Sequence, residues 1–429
     1  MKSSRYNLFL PFKGEYALFN TLSNSVLIVD KDMKECIEGR CFQTLSDNEV
    51  ASLASLGILV EDDIDERLIF ANLYNRIVYS NRELRFVVIT TYKCNLACPY
   101  CYEGMGEAIY DSMDEKMAWQ IIQAIEDKVI SDGAKSLKVM LFGGEPLLNQ
   151  DIGLKIFKEL SSWSKEHNIG LDGAMVTNGT LVTPSVIEKF VPYLHAVQLT
   201  LDGSKPFHDK KRVHKDGQGT YDEVLSALRS FRNAGICVSL RVQVALDNVS
   251  NLADLLKDLG EEGLLRDPGL RLSIYPLKRL TDLCGNFGSF IENDDVAAMI
   301  QVWKYDPNQT LRAQIVPCHV YSGLYIIDPL GDVYKCISAV GKKEHAVGTA
   351  KDGEILLDYG YYDFMTRDPL EISECRDCVY LPICGGGCPH MANRISGTYH
   401  APYCGSTKAL VDMKVLFDLE NKYHNGVQC

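Results

Sequence analysis

Between residues 86 and 276 the apolar positions follow two alternating rhythms. Apolar-rich segments of strand length fall at 86–90, 137–142, 171–177, 196–201, 236–244 and 270–276, the first of them a continuous apolar run. Between them, apolar residues recur every three or four positions over 113–131, 150–166, 184–191, 220–234 and 249–259, with Thr183-Pro184 and Asn248 as helix-start signals. Six such strand–helix units predict a parallel sheet with right-handed crossovers. The fold class is α/β, most simply a partial (β/α)6 barrel of the TIM type. In such a barrel the chemistry sits on loops after the carboxyl ends of the strands.

Residues 1–80 keep a different pattern. Tyr16–Asn20 and Ser25–Asp30 flank Thr21–Asn24 as a β-hairpin. One helical pattern begins near Asp32, and a second is capped by Ser46 with Glu49 three residues on, a capping box. Gly57 turns the chain into a short strand, Ile58–Val60, and a helix around 65–80 follows. This composition fits a small separate module, either a winged-helix-like peptide binder or a structural cap. Cys36 and Cys41 read as core residues of it.

The loops that the barrel places at one end carry the polar and glycine-rich sequence. Cys94, Cys98 and Cys101 follow the first strand as C-x3-C-x2-C, a triplet that shuffling would give in roughly one chain in fifty. Phe142-Gly143-Gly144-Glu145-Pro146 follows the second strand, Thr177-Asn178-Gly179-Thr180 the third, and Thr200-Leu201-Asp202-Gly203 the fourth. Their convergence points to a single active site. Three thiolates on one loop are one ligand short of the four that hold a cubane iron–sulfur cluster, which leaves one iron open to a substrate or cofactor.

Charge and composition narrow the partners. With 57 Asp and Glu against 44 Lys and Arg, the net charge of −13 argues against nucleic acid, whose binding rests on neutralised phosphates. No apolar run approaches membrane-spanning length, and Met1–Tyr6 lacks a signal sequence's apolar stretch. The expectation is a cytoplasmic protein without a membrane partner, in which clustered cysteines hold metal rather than disulfides.

Cysteines thicken again past residue 300. Cys318, Gly331 and Cys336 form C-x12-G-x4-C; Cys375, Cys378, Cys384 and Cys388 form C-x2-C-x5-C-x3-C; Cys404 follows. Structural zinc competes for a four-cysteine run. Seven cysteines exceed one zinc site and suit two clusters, and Gly385-Gly386-Gly387 lets the backbone wrap closely around a bulky centre.

The triplet with the later G-G-E-P resembles the radical S-adenosylmethionine (SAM) superfamily over roughly 86–280, and Cys318 to Cys404 resembles the SPASM extension of its peptide-modifying members. The resemblance implies that Cys94, Cys98 and Cys101 hold a reducing 4Fe–4S cluster, whose fourth iron SAM chelates. Tyr100 would lie against the adenine, and Gly143, Gly144 and Glu145 would bring a carboxylate or a carbonyl to the SAM ammonium. Thr200 and Arg212 would bind its carboxylate and ribose. Two auxiliary 4Fe–4S clusters are implied, one on Cys318, Cys336 and Cys388, the other on Cys375, Cys378, Cys384 and Cys404. The first lacks a fourth cysteine: Arg312 stands where sulfatase-maturing relatives carry one, so either Cys284 reaches in or an iron stays open for a substrate thiolate. Asp202 reads as a turn residue, Cys237 as core, and Cys429 as part of a frayed tail.

Two departures bear on the substrate. Relatives that oxidise a sulfatase Cys or Ser have Asp, as the base, where this chain has Ile337. Residues 1–80 resemble instead the element that takes a leader peptide as an added strand in enzymes that process ribosomal precursor peptides. The expected division is a leader-recognition domain at 1–80, a barrel at 81–280 and a SPASM domain at 281–429. The resemblance implies formation of cysteine sulfur-to-carbon crosslinks in a precursor peptide, with a flavodoxin- or ferredoxin-type donor supplying low-potential electrons. Carbon–carbon crosslinking and sulfatase maturation fit the same motifs.

Overall fold

The computed structural model describes residues 1–103, 111–279, 287–291, 317–318, 320–405 and 407–424; Cys284, Arg312 and Cys429 lie outside them. The chain forms two compact units, one of Met1–Ser80, Thr310–Tyr321 and Asp363–Cys429, the other of Asn81–Gln309 and Ser322–Tyr362. The amino-terminal module therefore shares a unit with the carboxyl-terminal cysteine segment, a grouping different from the three consecutive domains of the sequence reading.

In the first unit, β1 (Lys2–Ser3) pairs with β5 (Leu59–Val60), and β2 (Asn7–Phe12), β3 (Glu15–Asn20) and β4 (Val26–Val29) form an antiparallel meander. The expected β3–β4 hairpin is present, and Ser46 and Glu49 make the reciprocal capping box of the helix Asp47–Ser55. Alternation along β3 explains why this module does not stand alone. Leu18 packs with Ile37, Leu53 and Ile58 on one face of the sheet, whereas Ala17 and Phe19 pack with Ile383, Val411 and Val415 on the other. A sheet apolar on both faces needs two covering layers, and the helix Thr407–His424 provides the second.

The second unit holds six parallel strands in chain order, β6 (Glu83–Thr91), β7 (Ser136–Gly143), β8 (Gly170–Val176), β9 (Leu194–Leu201), β10 (Cys237–Val244) and β11 (Leu270–Pro276). Helices at Glu115–Ser131, Gln150–Glu166, Pro184–Phe190, Tyr221–Asn233 and Leu252–Glu261 connect them, close to the expected spans. The sheet extends beyond these strands. β12 (Leu324–Ile327) pairs parallel to β6, and β13 (Asp332–Tyr334), β14 (Gly348–Lys351) and β15 (Glu354–Leu357) continue antiparallel from it. This is a mixed sheet in an α/β fold, parallel from β11 at one edge through β12 and antiparallel from β13 to β15 at the other.

Two cysteines depart from the core reading. Cys237, the first residue of β10, is exposed, and so is Cys41; Cys36 alone of the amino-terminal pair is buried.

Candidate active site

The loop after β6 is fastened by backbone before any side chain is considered. Gly144 N–H donates to the Thr91 carbonyl (3.0 Å), Glu145 N–H to Lys93 (2.9 Å) and Ala97 N–H to Val213 (2.8 Å). Gly143 and Gly144 make this approach possible. A Cβ on Gly143 would stand 2.3 Å from the Thr91 carbonyl oxygen, and one on Gly144 2.4 Å from that of Lys93. The glycine pair is thus required by the cysteine loop itself.

Glu145 is fully buried, and its carboxylate is occupied by the protein. Oε1 accepts from Leu147 N–H (3.0 Å) and Thr177 Oγ1 (2.7 Å), and Oε2 from Asn178 N–H (2.7 Å). Burial raises its acid range, and these three donors pull the other way. The carboxylate is thus turned to Leu147 and to the loop after β8. Asn178, which sequence reasoning quoted without a role, is held in this way beside the cysteines. Its Nδ2 donates to Asn95 Oδ1 (2.9 Å) and reaches Cys94 Sγ at 3.9 Å.

Asp202 is not a solvent-facing turn residue. It is completely buried, accepts the Tyr100 hydroxyl on Oδ2, and has Oδ1 without a partner. Arg212 Nη1 donates to the same Tyr100 oxygen (3.0 Å), so the phenol bridges a carboxylate and a guanidinium. Burial raises both the Tyr100 hydroxyl and the Asp202 carboxyl, and Arg212 opposes both shifts. Arg212 is positioned in turn by a relay. Asp202 N–H donates to His208 Nδ1 (3.2 Å), which leaves Nε2 as the ring's N–H donor to Thr220 Oγ1 (3.0 Å); Thr220 donates to the Arg212 carbonyl (2.8 Å). Burial lowers the His208 pKa and keeps this ring neutral. Removing the buried carboxylate with Asp202→Ala is expected to cost about 3–5 kcal/mol. The readout is a lower urea midpoint from the fluorescence of Trp119 and Trp163, which lie on helices of the same unit; a parental midpoint would contradict the buried-charge role.

These elements enclose one cavity of about 280 Å³. Cys94, Cys98, Cys101 and Tyr100 line it from the first loop, Gly143 and Gly144 from the second, and Thr200 and Arg212 from β9 and beyond. Arg241, Lys278 and Ile337 are also among the lining residues, none of them proposed as a cofactor contact from sequence. Burial pushes the Cys94 thiol up to about 12 and raises Cys98 as well. Thiolates in such surroundings need a bound cation, which a metal centre supplies. Leu96 N–H already points at Cys94 Sγ (3.5 Å). The donor set, its polar second layer and the cavity suit an iron–sulfur cluster with a bound cofactor. Among the described residues, no three His, Cys, Asp or Glu side chains converge as a single-ion site.

In the first unit, Cys375, Cys378, Cys384 and Cys404 line a second, smaller cavity. Burial first, and then the neighbouring cysteines, push Cys375 up to about 12 and Cys384 to about 11. Gly387 (φ +79°) pairs with Tyr403, and a Cβ there would stand 1.8 Å from the Tyr403 carbonyl oxygen. Only glycine permits that closure. Cys318 is raised to about 11 by burial and then by Cys388, its neighbour in the same unit. Cys336 belongs to the second unit, directly before Ile337.

Residues 88–259 match the sequence profile of the radical SAM superfamily, and this span runs from β6 past β10 with all three loop cysteines inside it. This span is a radical SAM domain. It is 22% identical over 345 residues to the radical SAM cyclopropyl synthase TigE of Paramaledivibacter caminithermalis, covering 73% of this chain and 69% of that one. It is 25% identical over 340 residues to a serine-type anaerobic sulfatase-maturating enzyme of Klebsiella aerogenes, covering 72% and 81%. Among solved structures, Streptococcus suis SuiB bound to precursor peptide SuiA superposes with a TM-score of 0.54 at 16% identity, covering 93% of this chain and 98% of SuiB. At that identity the likeness is one of fold.

Proposed function

We propose that this radical SAM protein matures a ribosomally made precursor peptide by joining a cysteine sulfur to a carbon of another residue. The observation that carries this reading is Ile337. It lines the reaction cavity at the position where sulfatase-oxidising relatives are expected to place an Asp base, and it offers no proton acceptor there. A thiolate that attacks carbon needs no base at that point once its proton is gone. When bound, the cluster on Cys94, Cys98 and Cys101 together with SAM supplies a one-electron cleavage that yields a hydrogen-abstracting 5′-deoxyadenosyl group. Thr200 and Arg212 would hold the SAM carboxylate and ribose, Tyr100 would face the adenine, and the Gly143–Glu145 backbone would meet the ammonium. Gly143 and Gly144 fix the cysteine loop, and the cavity wall keeps the acceptor C–H close to the reacting carbon.

In this reading Cys375, Cys378, Cys384 and Cys404 hold one auxiliary 4Fe–4S cluster. Cys318, Cys336 and Cys388 hold the other, for a total of three. Residues 1–80 bind the leader peptide along the edge of the β2–β4 sheet. The extent of the SuiB match, 93% of this chain, supports a role for this module beyond that of a cap. A flavodoxin- or ferredoxin-type protein supplies electrons. The enzyme works in the cytoplasm, and no helix among the described residues is long and apolar enough to cross a membrane.

Each crosslink exchanges one C–H and one S–H for a C–S bond. One hydrogen would leave with 5′-deoxyadenosine and one as a proton, and the remaining electron would need an acceptor, the role the auxiliary clusters would fill. Anaerobic incubation with a cysteine-containing precursor peptide is expected to remove two hydrogens per crosslink and protect the linked thiol from alkylation. A product that has lost two hydrogens with every thiol still alkylatable would mean carbon–carbon crosslinking. Formylglycine in a sulfatase peptide would mean maturation of that class.

A further inference from the structure

Arg367 is a buried guanidinium without a carboxylate partner among the described residues. It is 1% exposed, and its donors end on four backbone carbonyls. Nε reaches Tyr399 (2.7 Å), Nη1 reaches Gly385 (3.3 Å), and Nη2 reaches Gly386 (2.5 Å) and Ala401 (3.3 Å). The glycine run is shaped around it, since a Cβ on Gly386 would come within 2.8 Å of Nη1. Carbonyl dipoles solvate a cation, but they leave its net charge in a low-dielectric interior, where a bare charge is costly. Gly386 also lines the cavity of Cys375, Cys378, Cys384 and Cys404, so the guanidinium stands one backbone layer behind those thiols.

We propose that Arg367 is the counter-charge of the redox centre held by Cys375, Cys378, Cys384 and Cys404, and that it raises the reduction potential of that centre. The proposal rests on the auxiliary cluster assigned above. Four thiolates make such a centre anionic, and each added electron makes it more so. A fixed cation nearby therefore stabilises the reduced form more than the oxidised one. Glu374 and Lys408 line the same cavity but are exposed, so water and salt screen them far more than Arg367. A raised potential suits a centre that accepts the electron left over from crosslinking and passes it outward. Arg367 is a positioning and tuning residue; it touches neither peptide nor SAM in this account.

The test is an anaerobic redox titration with dithionite, followed by electron paramagnetic resonance. It uses reconstituted full-length protein carrying alanine at Cys94, Cys98 and Cys101, so that the barrel cluster is silent. Arg367→Met, which removes the charge, is expected to move one reduction wave to more negative potential with iron content unchanged. The expected shift is at least a tenfold change in the reduced-to-oxidised ratio, about 59 mV for one electron. Arg367→Lys, which keeps the charge but loses the fork, is expected to keep iron and shift the wave less. Full iron with an unmoved wave in Arg367→Met would overturn the proposal. Equal loss of iron in both variants would overturn it too, by showing that the fork serves only to clamp carbonyls. Failure of the cluster assignment itself reads differently: Cys378→Ala would then retain the parental iron content.

Discussion

Gly144→Ala is expected to abolish most SAM cleavage even though it leaves every cysteine in place. The added methyl would stand 2.4 Å from the Lys93 carbonyl oxygen, 2.5 Å from that of Tyr92 and 2.7 Å from the Lys93 carbonyl carbon. All three are backbone atoms, so no side-chain rotation can relieve the clash. Overpacking of this kind costs about 1–3 kcal/mol. The chain can avoid that cost only by moving the loop after β7 away from the loop that carries Cys94. Either adjustment lengthens the bonds from Gly144 to Thr91 and from Glu145 to Lys93. A displacement near 1 Å at a reacting centre costs about a hundredfold in rate, and three ligands on one loop must move together to keep a cluster. Iron per chain and the rate of 5′-deoxyadenosine formation under dithionite measure the outcome, with Gly133→Ala as the control. Gly133 has a φ of +65°, so its variant carries backbone strain, but a Cβ there would meet nothing within 4 Å. Parental iron and rate in Gly144→Ala would show that the two loops are not coupled.

The barrel strands were legible because their signal is local. Each strand is a short apolar-rich segment, alternating buried and half-buried residues in β7 and β10, and the first four end at loops whose glycines or cysteines announce them. Convergence of those loops followed from topology alone, and the cavity does gather Cys94, Cys98, Cys101, Tyr100, Gly143, Gly144, Thr200 and Arg212. What the sequence hid was long-range. β12 is only Leu324–Ile327, and nothing within those residues says that they pair with β6, more than two hundred positions earlier. β2 carries Pro11, which disguises a strand whose partner lies on one side. The tie between 1–80 and the carboxyl-terminal helix rests on the second apolar face of β3, which a hairpin reading does not examine.

The misread residues share a cause. Asp202 precedes a glycine and looks like turn chemistry, yet it is buried against Tyr100, about a hundred residues earlier in the sequence. An acidic residue at a strand's carboxyl end, in a loop already suspected of chemistry, was the signal available. Cys237 sits in an apolar run but opens β10 at the strand's amino end, so membership of the run did not bury it.

The central claim is that three thiolates at the mouth of this cavity hold the metal centre through which SAM is cleaved. Alanine at Cys94, Cys98 and Cys101 together tests it most directly, with 5′-deoxyadenosine measured under dithionite after anaerobic reconstitution. The account predicts formation at the level of the protein-free control and a loss of about one cluster's iron, with the carboxyl-terminal cysteines still loaded. Deoxyadenosine formed at the parental rate would contradict it.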